Sequence, residues 1–103
     1  MLVFHLSTDD EWREALARGS YDRSTRGRSL AEVGFVHCAF ADQVAGVHEA
    51  FYADVDEPLV LLTVDTDRTG VPCRVEEGFP HLYGAIPCGA VREATPFPRL
   101  SQI

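Results

Sequence analysis

The feature that most constrains this chain is a histidine set inside a short apolar run, Gly34-Phe35-Val36-His37-Cys38-Ala39-Phe40. Such a run reads as a buried strand. By the period-2 geometry of a strand, Val36 and Cys38 face one way, and Phe35, His37 and Ala39 the other. An imidazole among apolar neighbours must find hydrogen-bond partners or open onto a cavity. The pattern occurs twice more, with His5 in Leu2-Val3-Phe4-His5-Leu6 and His81 in Phe79-Pro80-His81-Leu82-Tyr83-Gly84. Only His48 lies in a helix-like stretch. The expectation is that His5, His37 and His81 line one pocket.

The rest of the chain reads as an α+β domain. After the first strand, Thr8 to Glu11 fits a capping box, with acidic residues suited to a helix N-terminus. Trp12, Ala15 and Leu16 then form an apolar face, and Gly19 is a natural stop. Ser29 to Val33 predicts a helical turn. A further helix runs from Asp42 to about Ala53, with Val44, Val47, His48 and Phe51 on one face. Leu59 to Val64 is a continuous apolar run rich in β-branched residues, as expected of a central strand covered on both faces. Val71 to Glu76 predicts a strand that Pro72 confines to an edge. Phe79 to Ile86 predicts strand fragments and turns, and Ala90 to Ala94 a last strand. Helices early and strands late favour an α+β fold over repeated βαβ units. The expected architecture is a single domain over 1–103, its two N-terminal helices packed on a mixed, bent or split sheet, with an extended tail from about residue 95.

At 103 residues the chain suits one core, and 46% hydrophobic content can fill it. A formal net charge of -7 gives no long-range attraction to DNA, RNA or an anionic membrane. It leaves room for a small nucleotide-like ligand in a local pocket. The three cysteines are widely spaced, which predicts reduced thiols in a cytoplasmic protein. No secretory leader or long apolar segment is expected. No CxxC or HxxxH spacing supports a metal site, and no Gly-rich phosphate loop is present.

Each candidate group has two readings. His5 ends the first strand beside a helix N-terminus, where Ser7, Thr8 and free N–H groups suit a ligand. It equally reads as a core histidine satisfied by a backbone carbonyl. His37 has the same alternatives. His81 and Tyr83 share a face if their segment is extended, with Glu76 or Glu77 near enough to act as a base or to remain a solvated edge. Arg23, Arg26 and Arg28 form the densest positive charge, able to grip phosphates or simply to balance Asp9, Asp10 and Asp22.

Taken together, "FHLS…W…A…G", "SL…GFVHC" and "FPHLYG", with Trp12 and Gln43 in place, resemble the family known as domain of unknown function 952. That family in turn resembles the ADP-ribosyltransferase-like group, and within it the RNA 2′-phosphotransferases. Here His5 to Thr8, Trp12 and Phe35 to Cys38 are similar to that group's first motifs, with Ser7 where a glycine stands. The resemblance implies that His5 contacts a ribose hydroxyl of an NAD-like ligand and that His37 faces the same ligand. The third motif, often a glutamate, is represented by His81 and Tyr83. For phosphoryl transfer, Arg23, Arg26 and Arg28 would meet the substrate phosphates. The implied activity is ADP-ribosyl or 2′-phosphoryl transfer on an NAD-like or phosphorylated-ribose ligand, with NAD as a substrate and no cofactor assigned. The alternatives are a non-catalytic nucleotide- or metabolite-binding module and a structural domain whose histidines are satisfied internally.

Overall fold

A computed structural model describes residues 1–97. Strand β1 (Leu2–Thr8) leads directly into α1 (Asp9–Arg18). Thr8 caps that helix by accepting the Glu11 backbone N–H at 3.2 Å. Trp12 and Ala15 are buried, but Leu16, expected beside them, is exposed. Gly19 closes the helix at φ +93°, a left-handed conformation that costs a glycine little, and donates its N–H to Ala15 O.

Short pairings follow: β2 (Ser20–Tyr21), then a small hairpin of β3 (Arg23–Thr25) and β4 (Arg28–Ser29). The one-turn helix α2 (Leu30–Val33) has a full capping box between Ser29 and Glu32. Next comes β5 (Val36–His37), the histidine-bearing strand. Val36 and Cys38 enter the core while His37 is exposed, as strand alternation requires. The expected helix from Asp42 is a composite: a 3₁₀ turn over Ala41–Gln43, α3 (Val44–Val47), and a π-helical turn over His48–Tyr52. Its cap is the Gln43 side chain, which accepts from Phe40 N at 2.8 Å.

The second half is β6 (Leu59–Asp65), β7 (Cys73–Glu76), β8 (Phe79–Leu82), β9 (Ile86–Pro87) and β10 (Val91–Phe97). Strand β6 lies between β1 and β10, and Leu62 and Val64 on it are fully buried. A second three-stranded sheet has the order β5-β8-β7, which puts β7 at an edge. Every pairing among the described residues is antiparallel, so the sheet is split but not mixed. The two three-stranded sheets touch through a bridge between Phe4 and Ala39, with N–H···O distances of 2.8 and 2.7 Å. Thr95 to Phe97, expected in the tail, pair with β6; the tail beyond them lies outside the described residues.

The sheets pack two apolar clusters. The larger joins Val3, Trp12, Tyr21, Val36, Leu62 and Leu82; the smaller joins Leu6, Ala39, Val44, Tyr52 and Leu59. Gly84, in the bend after β8, is pressed against Val71: an added Cβ would lie 2.5 Å from Val71 Cγ1 and 3.0 Å from its Cβ. The backbone there is held by Tyr83 N donating to Pro72 O at 2.9 Å. Gly84→Ala is therefore expected to lower the unfolding free energy by about 1–3 kcal/mol, an overpacking cost readable by urea denaturation.

Candidate functional site

A cleft of about 350 Å³ opens where the two three-stranded sheets diverge. One wall is β1, with Phe4 and His5; the opposite wall is the β5-β8-β7 sheet, with His37, His81 and Glu76. The floor is Val44, Val47, Phe51 and Tyr52 from the composite helix. The apolar face expected of that helix exists, but it lines a cavity, which is why Phe51 is 60% exposed.

All three predicted histidines line this cleft, in different states. His5 is buried, and both ring nitrogens are engaged. Nδ1 lies 2.5 Å from His37 O and Nε2 lies 2.9 Å from the Tyr21 hydroxyl. A carbonyl oxygen only accepts, so Nδ1 carries the proton and Nε2 accepts from Tyr21. Burial holds the His5 pKa down at about 4, so the ring is neutral at physiological pH. Its hydrogen bond to the His37 carbonyl fixes the strand that presents the second histidine.

His37 and His81 face each other across β5 and β8, being directly paired in the register, with ring centroids 5.3 Å apart. Burial, and then the His81 charge, lower the His37 pKa. His81 is buried and stacks on Phe35, centroid to centroid 4.0 Å at an interplanar angle of 15°. Its Nδ1 lies 2.8 Å from Glu76 Oε1. The same oxygen accepts a hydrogen bond from the Tyr83 hydroxyl. The Tyr83 bond, and then the His81 bond, hold the Glu76 carboxyl below its ordinary pKa. Arg74 lies over the Tyr83 ring, 5.5 Å from its centroid. Tyr83 thus backs Glu76 and is not itself part of the cleft lining.

The other predicted ligand contacts are placed elsewhere. The Ser7 hydroxyl, fully buried, donates to Thr8 O at 2.7 Å, and Thr8 serves as the α1 cap. Arg23 lies 3.6 Å from Glu11 and 3.7 Å from Glu14. Arg26 binds Asp54 at 2.6 Å and Phe51 O at 3.1 Å, bracing the cleft rim. Arg28 is exposed on β4. None of these five residues lines the cleft. Among the described residues, no cluster of three or more histidine, cysteine, aspartate or glutamate side chains is placed to hold a metal ion, and no helix is long and apolar enough to cross a membrane.

Phe35, Tyr21 and Phe51 were not among the predicted site residues, and Glu76 was only an alternative. A signal for Glu76 was present. Glu77-Gly78 reads as a two-residue hairpin loop, with φ values of 54° and 85°, and such a loop sets the register of its strands. That register puts Glu76 opposite Phe79 and Arg74 opposite His81, on the same face of the sheet.

These features define a small α+β domain with a histidine-lined cleft between two antiparallel sheets. The model of a family described as "Protein of unknown function (DUF952)" matches residues 6–94, and the chain belongs to this family. The chain is similar to the crystal structure of protein CC0527 from Caulobacter crescentus: TM-score 0.77, 24% identity, covering 93% of this chain and 85% of that one. The solution NMR structure of CC0527 gives a TM-score of 0.70 at 24% identity, covering 91% and 82%. No curated protein matches.

Proposed function

We propose that this chain is a small enzyme of the ADP-ribosyltransferase-like type, whose cleft takes the ribose end of an NAD-like ligand. The observation that carries the reading is the meeting of His37, His81 and Glu76 against an apolar floor. Two antiparallel sheets joined at one bridge, with the first two motif histidines at the junction, are compatible with such a split-sheet fold. As the base leaves, positive charge develops on the ribose, and a carboxylate at the cleft stabilises it. Glu76 is suited to this because its hydrogen bonds favour the ionised form. His37, exposed and with its ring in no side-chain hydrogen bond among the described residues, takes the ribose hydroxyl. In this reading His5 positions His37 and does not touch the ligand.

The 2′-phosphoryl-transfer branch draws less support. It needs several cations against the substrate phosphates, yet Arg23 and Arg26 are paired with carboxylates outside the cleft. A non-catalytic binding module is the second reading, favoured by the engagement of both His5 nitrogens. The three free thiols, Cys38, Cys73 and Cys88, suit the cytoplasm to which we assign the protein.

Calorimetry with NAD, ADP-ribose and a 2′-phosphorylated nucleotide tests the reading. Wild type is expected to bind NAD or ADP-ribose, and His37→Ala to bind it at least about tenfold more weakly, the scale of one lost hydrogen bond in a desolvated site. No binding by any of the three ligands overturns it.

A further inference from the structure

We propose that His81 is the proton acceptor for the attacking hydroxyl in this cleft, and that Glu76, besides facing the ribose charge, orients the His81 ring. The inference rests on the reading above and deepens it. Glu76 was the natural candidate for a base, by residue type. The geometry assigns it differently: one of its oxygens already accepts from both His81 Nδ1 and the Tyr83 hydroxyl. A carboxylate holding two donors is a weak base.

His81 has the opposite arrangement. A carboxylate accepts only, so Nδ1 carries a proton, and in the neutral ring Nε2 is the nitrogen that presents a lone pair. Among the described residues, the hydrogen bond that His81 makes runs through Nδ1, and none involves Nε2. Phe35, stacked on the ring face, fixes its plane, and His37 stands across the gap at 5.3 Å. A base oriented by a second group and locked by packing is the arrangement that hydroxyl activation needs. His5 has no such freedom, because both its nitrogens are occupied.

The step balances. The acceptor oxygen, from water or an alcohol, bonds to ribose C1′. The bond from C1′ to the base breaks, its electron pair leaving with the base. The acceptor's proton passes to His81 Nε2. With water as acceptor, NAD yields ADP-ribose and nicotinamide.

The test is NAD hydrolysis by the full chain, as wild type, His81→Asn and His81→Gly. Asparagine keeps a donor toward Glu76 but cannot take a proton. His81→Asn is expected to lose about 100-fold in kcat with KM within about threefold of wild type. Added imidazole is expected to restore part of the lost rate to His81→Gly and none to His81→Asn. Circular dichroism separates loss of chemistry from loss of fold. Hydrolysis by His81→Asn within about twofold of wild type, or no imidazole rescue of a folded His81→Gly, overturns the inference and leaves the family reading standing. Wild type that binds NAD without hydrolysing it also overturns the inference, leaving a binding module. Wild type that neither binds nor hydrolyses NAD overturns both.

Discussion

Replacing His5 by leucine is expected to lower the unfolding free energy by about 2–4 kcal/mol at neutral pH, measured by urea denaturation. The imidazole joins three elements: its own strand β1, the His37 carbonyl on β5, and the Tyr21 hydroxyl on β2. Leucine fills similar space but takes a hydrogen bond from that part-buried carbonyl and from that buried hydroxyl, each lost partner costing about 1–3 kcal/mol, offset in part by the added apolar surface. The double variant His5→Leu/Tyr21→Phe removes one of the two orphans. It is expected to be more stable than His5→Leu by about 1 kcal/mol, since an apolar replacement on both sides is nearly neutral. Single-variant stability within about 0.5 kcal/mol of wild type would mean that the ring holds nothing together. The effect also reaches the cleft: without the bond to its carbonyl, His37 loses one of the restraints on its segment, which keeps the pairing with β8 and the Phe4–Ala39 bridge.

The contrast between His5 and His37 shows how far the sequence could be read. Both sit in short apolar runs, and local pattern alone gives them the same two alternatives. Alternation was legible: it sends Val36 and Cys38 inward and His37 outward. So were the apolar run of β6 and the glycine stops at Gly19 and Gly34. What separates the two histidines is contact at long range. Tyr21 reaches His5 across 16 positions of sequence, and the His37 carbonyl across 32. The arginines show the same limit: the carboxylates that meet Arg23 and Arg26, from Glu11, Glu14 and Asp54, come from other parts of the chain. Phe51 exposes a second limit. Helical spacing says that Val44, Val47 and Phe51 share a face, but an apolar face that lines a cavity has the same spacing as one that lines a core. The tail was judged by its prolines, yet β10 at the sheet edge accommodates Pro96 because an edge strand does not need every N–H.

Acid is expected to destabilise this protein well above the range in which carboxylates titrate. In the unfolded chain the His5 imidazole takes its proton at an ordinary pKa of 6.5; in the fold, burial lowers that to about 4. Between these values the unfolded state binds the proton and the folded state does not, so stability falls as pH falls. At 1.36 kcal/mol per unit, the loss from this one ring is about 2 kcal/mol by pH 5 and about 3 kcal/mol by pH 4. His37, also lowered, adds in the same direction. Glu76, held low, contributes stability that is lost only below the ordinary carboxylate value of 4.5. Glu11, raised by its burial, works the other way, gaining stability as it protonates. The interval from pH 7 to pH 5 is therefore governed mainly by the imidazoles. Urea denaturation at half-unit steps is expected to show the wild-type free energy falling across that interval, and the His5→Gln slope to be markedly flatter even though its absolute stability is lower. A wild-type profile flat from pH 7 to pH 5, or a glutamine variant with the same slope, would show that the proton stays on the folded ring and that the Tyr21 hydroxyl does not donate to it.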